Sequence, residues 1–180
     1  IDLSHKTYDK GICYIFEEKN ICFIPITKNA STAVRKSTAK NNYTYEVNNF
    51  IKNPDILDGK KAVCIIREPL DRFCSGYIEI LSRVNKASPT DFENNFLKVQ
   101  DPTKRFLKFI EIVYTEGLYD IHIRPQIEFI KKEDDQIIIN QFYLLGEANL
   151  LLKENFDIKN KARYNSKSAR KRHSLLNILH

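Results

Sequence analysis

The stretch AVCIIREPLDRFCSGY, Ala62–Tyr77, decides the fold. It opens on five apolar residues in a row, the pattern of a strand buried on both faces rather than one alternating between core and water. At Arg67 the chain turns polar, and from Leu70 the period changes. Phe73, Tyr77, Ile80, Leu81 and Val84 follow helical spacing and give one apolar face. A buried strand, a short turn and a helix make the repeating unit of an α/β sheet.

Outward from this unit the same grammar continues. ICYIF (Ile12–Phe16) and ICFIP (Ile21–Pro25), set off by Gly11 and the run EEKN, read as a hairpin or two adjacent strands. Residues from Ala30 to Lys40 suit a helix, and an Asn-rich connection ends at Asp58-Gly59. Asp101 as N-cap and Pro102 in the first turn announce another helix, which turns Phe106, Phe109, Ile110 and Val113 inward before Gly117 ends it. QIIINQFYLL (Gln136–Leu145) reads as a second buried strand, with a helix in EANLLLKENF behind it. Strands alternating with helices predict a parallel sheet with helices on both faces, and 180 residues predict one domain, 1–180.

Composition is that of a soluble globular chain, and no apolar run is long enough to span a membrane. The sequence holds no Met, and Ile1 is too large to follow a removed initiator, so the chain reads as a fragment or processed product. Membrane contact is expected only through a segment outside it; location stays unassigned, with cytoplasm favoured for the chain as it stands and a membrane-anchored, lumenal place if an upstream anchor is missing. Cys13, Cys22, Cys64 and Cys74 form no CxxC pair and read as buried thiols. Net charge is +6, with Lys and Arg concentrated in KNKARYNSKSARKRH (Lys159–His173), which biases the chain toward an anionic ligand.

Two strand-to-helix turns carry the chemistry. In open α/β sheets ligands bind at the carboxyl ends of strands, where helix N-termini offer unpaired N–H groups to phosphate or sulfate. In the first turn, Thr27–Thr32, Lys28 supplies a cation, Asn29 tolerates a left-handed conformation, Ala30 keeps the wall low, and Ser31 and Thr32 add hydroxyls. The plainer reading is a capped helix start. In the second turn Arg67 follows a buried strand, and Arg72 and Ser75 lie in the first turns of the next helix; the plainer reading is an Arg67–Asp71 or Arg72–Glu68 ion pair. Two anion-binding turns together imply a ligand with two separated anionic groups.

These residues resemble the sulfotransferases that use 3′-phosphoadenosine 5′-phosphosulfate (PAPS), in particular the carbohydrate-modifying branch. Thr27 to Ala33 looks like that family's 5′-phosphosulfate loop, with Thr27 where the family usually has Pro. Arg67-Glu68-Pro69-Leu70-Asp71-Arg72-Phe73-Cys74-Ser75-Gly76-Tyr77 is similar to its 3′-phosphate motif at every fixed position, and His122-Ile123-Arg124-Pro125-Gln126 to its HxRPQ segment. The likeness runs in order from about Ile21 to Glu147, and a further helix expected after His180 is missing.

The resemblance implies a P-loop-like sulfotransferase fold and metal-independent sulfuryl transfer from PAPS to an acceptor hydroxyl, on a carbohydrate. It assigns Lys28 to the leaving oxygen, the turn Lys28–Thr32 to the 5′-phosphate, and Arg67 and Ser75 to the 3′-phosphate. The general base is His122 or Glu46; Arg124 and Gln126 are candidates to bind donor or acceptor, and the tail around Lys167, Arg170, Lys171 and Arg172 to close over nucleotide or glycan. Partners are then PAPS, its product 3′-phosphoadenosine 5′-phosphate (PAP) and the acceptor, with no nucleic acid. Rival readings are a P-loop kinase or nucleotide hydrolase, for which the complete glycine-rich loop and a Mg²⁺ ligand set are missing, and a basic module binding RNA through its tail.

Overall fold

The computed structural model describes residues 10–84, 91–117 and 120–159, which divide into two compact units. The first holds residues 10–67 and 125–159, the second 68–84, 91–117 and 120–124. The basic tail beyond Lys159 lies outside the described residues.

The first unit is α/β. Its strands are β1 (Ile12–Phe16), β2 (Ile21–Ile24), β3 (Glu46–Asn49), β4 (Lys61–Ile66) and β5 (Gln141–Leu144), in the order β3-β1-β2-β4-β5. The sheet is mixed, not parallel throughout: β2, β4 and β5 run parallel, while β1 pairs antiparallel with both β2 and β3. The physical reason is connection length. The short link through Glu17–Asn20 can close only a hairpin, whereas β2 and β4 are parallel because α1 (Ser31–Lys40) and β3 fill the long connection between them.

The apolar run of β4 is buried from Ala62 to Ile65, and its side chains divide between two cores. Val63 and Ile65 join Phe23, Tyr143, Val34 of α1 and Leu151, Leu152 and Phe156 of α5 (Ala148–Phe156). Ala62 and Cys64 join Cys13, Cys22, Ile24 and Phe50. Within this unit the second face is covered by Ile56, Leu57, Phe129, Ile130, Ile138 and Ile139, from short 3-10 turns and connections rather than helices. The strand expected over Gln136–Leu145 shrinks to Gln141–Leu144, with one isolated bridge at Ile137. Its start is apolar because Ile138 and Ile139 pack into that core, not because they pair in the sheet.

The second unit is helical. α2 (Pro69–Val84), α3 (Asp91–Leu97) and α4 (Pro102–Glu116) enclose Cys74, Tyr77, Ile80, Phe96, Phe106, Phe109, Ile112 and Ile123. The boundary signals of α4 behave as read: the Asp101 carboxylate accepts from the Lys104 N–H at 2.7 Å, and Gly117 ends the helix at φ 60°. Among the described residues no helix is long and apolar enough to cross a membrane.

Candidate functional site

The turn after β2 departs from an ordinary cap. Lys28 (φ 66°) and Ala30 (φ 60°) both sit in the left-handed region, and Asn29 between them does not. Each such residue costs an L-amino acid about 1–2 kcal/mol. The left-handed positions of the turn thus fall on Lys28 and Ala30 and not on Asn29, the residue whose type best tolerates them. Asn29 is instead the anchor of the turn, only 1% exposed, its Nδ2 donating to the Ile65 carbonyl of β4 at 2.8 Å and also to Gln126 Oε1. Its inward side chain is thus flanked on both sides by left-handed backbone.

α1 starts immediately beyond. Ala30 is its N-cap, with no side-chain capping bond, so Ser31 and Thr32 are not the caps of the plainer reading. Within the first turn the Ala33 N–H donates to the Ala30 carbonyl at 2.9 Å; the Ser31 and Thr32 N–H groups precede any intrahelical acceptor, and the half-buried Ser31 and exposed Thr32 hydroxyls stand beside them. Backbone that alternates in φ sign just ahead of a helix start favours anions.

Arg67, one residue past β4, is 7% exposed, and its Nη1 donates to the Lys28 carbonyl at 2.9 Å. Gln126 grips the backbone of Arg67 from both sides: Oε1 accepts from the Arg67 N–H at 2.9 Å and Nε2 donates to the Arg67 carbonyl at 2.7 Å. The amide expected to touch donor or acceptor is thus spent on holding two strand-end turns together. Glu46 lies elsewhere. It is exposed on edge strand β3, opposite Ile15, which faces Cys22 near the start of β2, whereas Lys28 follows the end of β2. Two strand spacings, about 10 Å, also separate β3 from β2. Glu46 is thus placed on the edge strand of the sheet, two strands from the one that leads into the Lys28 turn.

In the second unit the helix start of α2 is already filled. Glu68 accepts through Oε1 from the Leu70 N–H at 3.0 Å and through Oε2 from the Asp71 N–H. The buried Arg72 guanidinium donates to the carbonyls of Arg124 and, at 3.3 Å, Ile121. It pins the 121–124 segment to α2, where Gly76 makes close approach possible: a Cβ there would lie 2.5 Å from the His122 carbonyl oxygen and 2.7 Å from an Ile123 methyl. Ser75 is buried at 3% exposure on the same helix.

That segment carries a charged relay the sequence reading missed. His122 Nδ1 lies 2.7 Å from Asp120 Oδ1, the His122 backbone N–H donates to the same oxygen at 2.8 Å, and Arg83 Nη2 donates to Oδ2 at 2.8 Å. Burial pushes the Asp120 carboxyl up, but the bonds from His122 and Arg83 outweigh it and hold the group well below the usual carboxylate range. The readable signal was the Asp-x-His spacing.

Among the described residues no group of three or more His, Cys, Asp or Glu is placed to hold a metal ion. Compared with family models, with curated proteins and with solved structures, the chain matches none.

Proposed function

We propose that the chain is a PAPS-dependent sulfotransferase of the P-loop-like fold, moving a sulfuryl group to an acceptor hydroxyl, on a carbohydrate. The observation that carries this reading is the turn Lys28–Thr32. It is strained at two residues, anchored through Asn29 to the neighbouring parallel strand, and delivers a lysine and two hydroxyls to the start of α1. Strain of this kind, at a strand's carboxyl end, is a mark of ligand sites.

In this reaction the acceptor oxygen forms a bond to sulfur as the bond from sulfur to the 5′-phosphate bridging oxygen breaks, and PAP leaves with that electron pair. Negative charge grows on the bridging oxygen, where Lys28 and the N–H groups of the turn stabilise it. Ser31 and Thr32 hold the 5′-phosphate. The motif assigns Arg67 and Ser75 to the 3′-phosphate and His122 to the acceptor's proton.

Isothermal titration with PAP tests the reading. Binding at micromolar PAP that weakens at least tenfold in Lys28→Ala is the expected result, and no heat from the wild-type chain sinks it. Adenosine triphosphate with Mg²⁺ in place of PAP serves as the counter-probe, and preference for it would move the reading to a kinase or nucleotide hydrolase.

A further inference from the structure

We infer that Asp120 is the positioning residue that makes Nε2 the basic atom of His122, an inference that rests on the sulfuryl-transfer reading in which His122 takes the acceptor's proton. The Asp120 carboxylate, ionised beside Arg83, can only accept hydrogen bonds. An imidazole nitrogen 2.7 Å from it must therefore carry the proton, so Nδ1 is N–H and the lone pair stands on Nε2.

Three contacts keep the ring there. The His122 backbone N–H shares Oδ1, Arg83 occupies Oδ2 and so stops the carboxylate from rotating, and the segment lies against Gly76 and Arg72 of α2. Arg83 and Arg72 are charged groups of α2 that meet the segment, one on the carboxylate and one on the carbonyls of Ile121 and Arg124. As the acceptor hydroxyl attacks sulfur its proton passes to Nε2, and the positive ring that results is paired with Asp120. No proton need reach the carboxylate, in the way a buried aspartate supports a histidine base elsewhere.

The tautomer reads the Asp120–His122 bond itself, and transfer activity reads whether that bond serves the reaction. In the full chain labelled with ¹⁵N-histidine, two-bond ¹H–¹⁵N correlations of the neutral ring, assigned with His122→Gln, show Nδ1–H and a bare Nε2 in the wild type. In Asp120→Ala the tautomer shifts to Nε2–H, and in Asp120→Asn as well, since one amide oxygen cannot serve both Arg83 and His122. A wild-type ring already protonated at Nε2, or a tautomer unchanged in both variants, overturns the inference.

Transfer from PAPS to desulfated heparin is the second arm. It is expected to fall about 100-fold in Asp120→Asn with PAP affinity unchanged, whereas an equal loss of PAP affinity would mark a structural role only. Transfer retained in His122→Gln would remove the base reading while leaving the tautomer result standing, so the two failures are distinguishable.

Discussion

Arg67 donates from Nη1 to the backbone carbonyl of Lys28 at 2.9 Å, so the residue just past β4 holds the turn that follows β2. The two strands are parallel neighbours, and their carboxyl ends are tied by side chains as well as by the ladder. Asn29 crosses in the opposite sense, from the β2 turn to the Ile65 carbonyl of β4. A left-handed Lys28 is kept in place by these two bonds, one through its own carbonyl and one through its neighbour.

Arg67→Ala should therefore affect stability and ligand together. A hydrogen bond from a charged donor contributes on the order of 1.5–3 kcal/mol, and its loss frees the carbonyl of a strained residue. Thermal unfolding should move down, and PAP titration should lose its heat. Arg67→Lys tests the fork: an ammonium lacks the rigid planar pair of Nη groups that can face the Lys28 carbonyl and an anion in fixed directions, so this variant should recover stability and not affinity. Full PAP affinity in Arg67→Ala would show that the arginine serves the fold alone.

Much of the fold was legible because its signals are local. Asp101, Pro102 and Gly117 act within one turn of themselves, and the unbroken apolar run Ala62–Ile66 reports burial on both sides wherever the chain goes. The start of Gln136–Leu145 misled for the same reason: apolarity reports burial, not pairing, and Ile138 and Ile139 are buried outside the ladder. The candidate site was legible as a turn that needs left-handed backbone, but not as to which residue. That depends on Asn29 meeting Ile65, 36 positions away, and on Gln126 meeting Arg67, 59 away. Such bonds exist only once the strands are assembled.

Ala30 separates strain from side-chain chemistry. Its left-handed φ costs about 1–2 kcal/mol, which glycine would relieve. Glycine, however, gives up about 0.5–1 kcal/mol in chain entropy and at most about 0.8 kcal/mol of methyl burial, since Ala30 packs only partly against the core. Ala30→Gly should thus lie between a loss of about 0.8 and a gain of about 1.5 kcal/mol by urea denaturation. Ala30→Val, β-branched in the same geometry, should lose about 1–3 kcal/mol. A stable valine variant would contradict the left-handed assignment.

Asp120 should shape the acid limb of stability. Its folded carboxyl titrates below the ordinary carboxylate range of about 4, because His122 and Arg83 stabilise the charged form against the cost of burial. As pH falls below about 4 the unfolded chain takes up the proton first, so this contribution is complete above that pH and lost as pH drops through the folded value. In Asp120→Asn the contribution is missing throughout. Urea midpoints of the two chains should differ by a constant amount from pH 7 to about 5 and converge below pH 4. Parallel curves down to pH 2 would mean that the carboxylate is not held by its neighbours.

Gln126 distinguishes a clamp from a ligand group. Its amide makes two bonds to the backbone of Arg67 and one to Asn29, and a carboxylate in its place could accept from the Arg67 N–H but would face the Arg67 carbonyl with a second acceptor. Gln126→Glu should therefore be destabilised by about 1–3 kcal/mol, the cost of an unsatisfied buried carbonyl beside a misplaced charge. Gln126→Ala should lose a similar amount. If the amide served PAP directly, either change would weaken PAP without moving the unfolding midpoint of the free chain. The clamp predicts the reverse order of effects: the free chain melts lower, and saturating PAP restores part of the loss, because a bound anion would fix the same turn from the other side. Thermal unfolding of the wild type and both variants, with and without PAP, separates these outcomes.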